Sequence, residues 1–179
     1  ELQPPAPTEE EKVDCNYVGE WITGISDLDW LNFLAILLKY AMSYSHAYLL
    51  FENLTNLYEQ SKQYDRVALC YRNMGEILTE RGRVEKAIDS HMHAMDYWAK
   101  KSTDAHNMAR EYVLLGDNYC SGKSLEKGVQ HYGEALSLYR SLNLGRGIAE
   151  VPSKLAIMCD EDGDYELAKR YYVETVQSV

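Results

Sequence analysis

The sequence predicts an all-α protein in which antiparallel helical hairpins stack as a right-handed solenoid. Apolar residues recur at helical spacing through most of the 179-residue chain. Short polar turns separate the periodic segments. Small residues return at a spacing of 40 or 41 residues, at Gly75, Gly116 and Ala156. Because one hairpin cannot bury its own apolar face, this repetition favours a stack of hairpins.

Eight segments carry the helical pattern, and no run of residues is typical of a strand. The predicted helices span residues 27–42, 46–60, 64–81, 84–100, 105–121, 124–141, 147–161 and 165–178. Turns as short as Gly82-Arg83 and Asp162-Gly163-Asp164 make consecutive helices antiparallel neighbours. Tyr64 also stands where a second helix of a hairpin could begin, which predicts irregular first hairpins.

The domain organisation follows from the same pattern. Residues 1–26 form an acidic segment with three prolines, which we expect to be partly disordered. Residues 27–179 form one helical-repeat domain, and its clearest repeats cover about 64–104, 105–145 and 146–179.

Charge and composition exclude several functional classes. The net charge is −10, and residues 1–20 alone hold six acidic residues and one basic residue. Nucleic-acid binding requires a basic footprint, so we expect none. The longest apolar run, residues 31–38, is far shorter than the ~20 residues that span a bilayer. Four widely separated cysteines offer no zinc spacing and indicate a reduced, cytoplasmic protein.

No group of residues predicts catalysis, a metal or a cofactor. Residues 160–164 alternate aspartates as a calcium loop does, but an acidic turn in which Asp164 caps the next helix explains them better. His91 and His93 are two residues apart and point to different faces of a helix. Gly145-Arg146-Gly147 is too short to hold a phosphate. The sequence therefore predicts a protein that is not an enzyme.

One residue pattern occurs three times. The first copy contains Tyr71, Gly75, Leu78, Ala87, His91 and Ala94; the second Tyr112, Gly116, Tyr119, Gly128, Tyr132 and Ala135; the third Leu155, Ala156, Cys159, Ala168, Tyr172 and Thr175. This pattern resembles the tetratricopeptide repeat. Its period of 40–41 residues, longer than the usual 34, is similar to the long-helix variant in Pins/LGN-type polarity scaffolds and in rapsyn. Of the inner-helix asparagines that bind ligands in the Pins-type family, only Asn73 has a counterpart here.

The resemblance assigns packing roles to small residues where two helices cross and to aromatic residues in the seam between them. The expected packing residues are Gly75, Ala87, Ala94, Gly116, Gly128, Tyr132, Ala135, Ala156, Ala168 and Tyr172.

The resemblance also implies a concave groove lined by the first helix of each hairpin. The candidate groove residues are Arg72, Asn73, Glu76, Arg110, Val113, Asp117, Ser153, Lys154 and Ile157, with Thr79, Cys120 and Glu150 on the same face. Mixed charges among apolar positions suit an extended peptide or a helix.

The sequence therefore predicts an interaction module, an adaptor or scaffold that binds a peptide or helix of a partner protein. The alternative is a regulatory sensor that binds a small ligand, or its own acidic N-terminal segment, and switches a neighbouring domain. Two apolar surfaces also suggest self-association. One is the C-terminal helix with Val173 and Val176, and the other is the helix with Trp30, Phe33 and Leu37, whose simpler interpretation is hairpin core.

Overall fold

The structure, a computed structural model, describes residues 27–100, 104–161 and 163–177. The acidic segment expected at residues 1–26 lies outside these ranges. The described part contains helices and turns and no strand, so the predicted all-α fold class is confirmed. The helices are α1 (Leu28–Tyr40), α2 (Tyr44–Gln60), α3 (Tyr64–Glu80), α4 (Val84–Lys100), α5 (Ala105–Ser121), α6 (Leu125–Ser141), α7 (Gly145–Glu161) and α8 (Tyr165–Gln177).

Each hairpin turns through a residue in the left-handed backbone region. These residues are Met42, Gly82, Lys123 and Gly163, with φ values of 59°, 68°, 61° and 85°. The amide three residues past the end of the helix then donates back to a carbonyl in its last turn, as Arg83 N–H does to Leu78 O at 2.8 Å. This shared turn places the four hairpins in one residue register. α3 and α4 use it too, so the expectation of irregular first hairpins was wrong.

The chain divides into two compact units at Gln63–Tyr64. The first contains the hairpin of α1 and α2. The Asp27 carboxylate accepts hydrogen bonds from the amides of Asp29 and Trp30 and so begins α1. The Tyr58 hydroxyl donates to Leu28 O at 3.2 Å and ties the end of α2 to the start of α1. The buried apolar residues of this unit are Leu31, Ala35, Ala47, Leu50, Phe51, Leu54 and Tyr58.

The second unit contains three hairpins, formed by α3–α4, α5–α6 and α7–α8. Contacts of α4 with α5, of α6 with α7, and of α3 with α5 stack the hairpins on one another. One core cluster joins α5, α6 and α7 through Ala109, Val113, Tyr132, Ala135, Leu136, Tyr139, Val151 and Leu155. A second joins α3 and α4 through Ala68, Ala94 and Trp98.

Two glycines allow the helices of a hairpin to approach closely. A Cβ added to Gly75 would lie 2.6 Å from His91 Nε2, and one added to Gly116 would lie 2.6 Å from Tyr132 Cε1. Each aromatic ring therefore occupies the volume that any larger residue would need. Gly128 is buried beside the Cys120 thiol. Buried alanines at the other expected packing positions are Ala87, Ala94, Ala135, Ala156 and Ala168.

Tyr172 differs from the other expected packing residues. It corresponds in the register to His91 and Tyr132, which are both buried, yet it is 41% exposed on α8. The reason is positional, because α8 is the last helix that the structure describes, so none of the described helices packs on this side of it.

Candidate functional site

The first helices of the three hairpins in the second unit lie side by side and are joined by polar contacts. Between α3 and α5, Arg110 Nη2 lies 3.6 Å from Glu76 Oε1, and the Thr79 hydroxyl donates to Asn118 Oδ1 at 2.9 Å. Between α5 and α7, Lys154 Nζ donates to both carboxylate oxygens of Asp117, at 2.8 and 3.0 Å. We call the surface of α3, α5 and α7 that carries these pairs the first-helix face.

Asp117 is the centre of the polar contacts on α5. Besides Lys154, it accepts a hydrogen bond of 2.6 Å from the Tyr132 hydroxyl of α6. Burial, and then this hydrogen bond, hold the pKa of Tyr132 far above its ordinary value. The phenol therefore stays a donor at neutral pH. The carboxylate is fixed from two sides, since it bridges the first helices of two hairpins and the second helix of its own.

A pocket of about 470 Å³ lies beside Asp117. Its lining residues come from α5, the end of α6, the turn that follows and the start of α7: His106, Arg110, Val113, Leu114, Asp117, Tyr139, Asn143, Leu144, Gly145, Arg146, Gly147 and Glu150. The buried or half-buried part of the lining is mainly apolar, and the exposed part carries charges of both signs. Burial also raises the pKa of Tyr139, so its ring adds a neutral surface.

The candidate groove residues are placed in three ways. Arg110, Val113, Asp117 and Glu150 line the pocket. Glu76 and Lys154 extend it through their ion pairs with Arg110 and Asp117. The remaining candidates lie on α3, α5 or α7 outside the lining: Asn73, Thr79, Cys120, Ser153 and Ile157. Of these, Asn73 donates to Leu69 O of its own helix, and Ile157 is half exposed.

Arg72 requires a correction, because its side chain is buried and does not reach the ligand-accessible surface. Its Nε donates to Glu111 Oε1 at 2.6 Å, and its Nη2 donates to Asn107 Oδ1 at 2.8 Å. Glu111 also pairs through Oε2 with His91 Nδ1 at 2.9 Å and accepts from Trp98 Nε1 at 3.2 Å. This buried network joins α3, α4 and α5, so the Arg72 side chain lies within the packing between these helices and outside the pocket lining.

Glu111 was not predicted as a buried residue, although the sequence places a charge at a position that is apolar in the other hairpins. In the hairpin register it corresponds to Cys70 and Val151, which are both buried. A charged residue at a position that is otherwise apolar indicates a buried ion pair. The nearest arginine one hairpin earlier is Arg72, the partner that the structure shows.

The pocket residues missed from the sequence are His106, Leu114, Tyr139 and Arg146, together with the turn around Asn143. Asn143 has a φ of 54°, so the chain reverses there and brings Arg146 back beside α5. The sequence predicts Gly145-Arg146-Gly147 as a turn between helices, and this was wrong, because these residues form the first turn of α7, which begins at Gly145. Two glycines in three residues hide the helical pattern.

In the part of the chain that the structure describes, no three side chains of His, Cys, Asp or Glu lie together as ligands of a metal ion would. None of the helices α1–α8 combines the length and apolar character needed to cross a bilayer.

The hairpins have a helical-repeat fold of the tetratricopeptide-like kind. Solved structures of MamA have the same fold. One is 14% identical with a TM-score of 0.67, covering 92% of this chain and 85% of that one. MamA 41-end from Desulfovibrio magneticus RS-1 is 20% identical with a TM-score of 0.67, and the MamA RS-1 ArsTM double mutant is 18% identical with a TM-score of 0.65. Each of these two covers 93% of this chain and 84% of its own.

No protein-family model matches the chain, and no curated protein is significantly similar to it in sequence. At 14–20% identity, the solved structures support the fold alone.

Proposed function

We propose that this protein is an interaction module, which acts as an adaptor or scaffold and not as an enzyme. On the first-helix face it binds a peptide or helix of a partner protein. The observation that carries the proposal is the pocket beside Asp117, with its apolar lining and charged rim. The tetratricopeptide-type fold supports it, since such stacks present an extended, pre-formed surface. The resemblance to Pins/LGN-type scaffolds points to the same class.

The lining indicates the chemistry of the ligand. Val113, Leu114 and Leu144 offer an apolar contact, and burial of a medium-sized apolar side chain there contributes about 1.5–3 kcal/mol. Arg110 and Arg146 are exposed at the rim and can donate to a carboxylate. We therefore propose a ligand with an aliphatic or aromatic anchor and an acidic group next to it.

Peptide selection tests this proposal. Random twelve-residue peptides displayed on phage are selected on the 179-residue chain, then synthesised, and their Kd is measured by fluorescence anisotropy. A hydrogen bond to a charged group contributes about 1.5–3 kcal/mol, so Arg110→Glu or Arg146→Glu is expected to weaken binding at least about tenfold.

Lys127→Glu is the matched control, because Lys127 is exposed on α6 outside the pocket lining. It reverses the same charge and is expected to leave the Kd unchanged. Selected peptides that bind both arginine variants as tightly as the natural sequence would contradict the proposed site. An equal loss with Lys127→Glu would attribute the effect to overall charge instead.

A further inference from the structure

The shared hairpin turn allows equivalent positions to be compared from one hairpin to another. Aligning Met42, Gly82, Lys123 and Gly163 gives the register of every helix. Within the second unit, the second helix of one hairpin packs on the first helix of the next, as α6 does on α7. Positions that are buried there can be compared with their equivalents on α8, a second helix, and on α1, a first helix.

The outer face of α8 is apolar and exposed. Tyr172 is 41% exposed, whereas its equivalent Tyr132 is 4% exposed. Val176 is 77% exposed, whereas its equivalent Leu136 is 8% exposed. Tyr132 and Leu136 pack in the cluster that includes Val151 and Leu155 of α7. The equivalent face of α8 borders an open groove that also includes Tyr165 and Val173.

α1 also has an exposed apolar face, at positions that are buried in the first helices of later hairpins. Trp30 is 51% exposed, although its equivalents Glu111 and Val151 are 0% exposed. Leu37 is 47% exposed, and its equivalent Asn118 is buried. In α1, a first helix, the side that would pack against the second helix of a preceding hairpin is exposed. In α8, a second helix, the side that would pack against the first helix of a following hairpin is exposed.

Near these two faces, a third pair of equivalent positions holds apolar residues in place of an ion pair. Lys154 of α7 binds Asp117 of α5 where one first helix meets the next. The equivalent of Lys154 on α1 is Phe33, and the equivalent of Asp117 on α7 is Ile157. Both are apolar and half exposed. The ion pair found inside the stack is therefore replaced by two apolar residues at the positions that would meet between two molecules.

We propose that α1 of a second copy of this chain docks on α8 and takes the place of a following first helix. Trp30 and Leu37 of one copy then cover Tyr172 and Val176 of the other, and Phe33 meets Ile157. This interface is heterologous, because the two copies contribute different surfaces, so association can continue from copy to copy. The interface does not use the pocket lining and is independent of the proposed ligand site.

Light scattering during size-exclusion chromatography tests the inference with the full chain. The average mass is expected to exceed 20.6 kDa and to rise with concentration. Val176→Glu blocks α8, and Trp30→Glu blocks α1; both residues are exposed, so the fold should persist, which circular dichroism checks. Each variant alone is expected to be monomeric. An equimolar mixture is expected to form a 1:1 dimer, because each variant keeps one intact face and the two faces are complementary.

Met92→Glu is the control, since Met92 is 52% exposed on α4, which is neither of the two helices in the proposed interface. It is expected to associate as the natural sequence does. A mixture of the two variants that stays monomeric overturns the proposal. So does a Trp30→Glu variant that dimerises alone, since two α8 faces would then pair symmetrically. A natural chain that remains monomeric at all concentrations also overturns it.

Discussion

Replacing Arg72 with methionine is expected to lower the free energy of unfolding by about 3 kcal/mol or more. Glu111 is fully buried, and Arg72 supplies the charged donor at 2.6 Å. His91 and Trp98 continue to contact the carboxylate, but the variant lacks the guanidinium. An uncompensated buried charge is far costlier than the loss of a surface ion pair. Urea unfolding followed by circular dichroism measures the change.

Two further variants separate the buried charge from general damage. Arg140→Met removes a cation that pairs with Glu174 at the surface, and it is expected to change stability by at most about 1 kcal/mol. The double variant Arg72→Met/Glu111→Met removes both buried charges and is expected to be more stable than Arg72→Met alone. If the double variant is instead less stable than Arg72→Met, the unpaired carboxylate is not the cause.

Replacing Gly116 with leucine is expected to lower the free energy of unfolding by about 3 kcal/mol. The first atom of any side chain at this position would lie 2.6 Å from the Tyr132 ring. Tyr132 cannot swing away freely, because its hydroxyl is bonded to Asp117 and its ring is packed in the core cluster. The two helices must separate to admit the larger residue. Thermal and urea unfolding measure the loss.

Gly133→Leu is the control for Gly116→Leu. Gly133 lies within α6, and a Cβ there would meet no atom within 4 Å. Since leucine is the better helix former, this variant is expected to gain about 0.5–1 kcal/mol of stability. Equal losses at the two glycines would show that helix propensity or solubility, and not packing, determines the result.

Most of the fold could be predicted from the sequence, because every hairpin repeats the same arrangement of two helices and a short turn. Each predicted helix is present, and its ends differ by at most two residues from those predicted. The turns were harder to locate. Gly82 and Gly163 indicate a left-handed backbone, because glycine adopts a positive φ easily. Met42 and Lys123 adopt the same conformation without being glycine, because the geometry of the hairpin overrides their preference for a negative φ.

The candidate site was predictable only in part, and the reason is physical. Helical spacing indicates which residues share a face, so Arg110, Val113 and Asp117 were found together in the pocket. Spacing does not indicate how far a neighbouring helix covers that face. For this reason Arg72 is buried, with hydrogen bonds to Glu111 and Asn107 of α5, while Arg146 reaches the pocket from the first turn of α7 in the next hairpin.

The central claim is that a small residue on the first helix of a hairpin makes room for an aromatic ring from the second. A double-mutant cycle between Gly116→Ala and Tyr132→Leu tests it most directly. Gly116→Ala is expected to destabilise the natural sequence, where the added methyl group meets the Tyr132 ring. In the Tyr132→Leu background it is expected to be neutral or stabilising, since the methyl group then has space and alanine favours the helix. The same free-energy change in both backgrounds would contradict the claim.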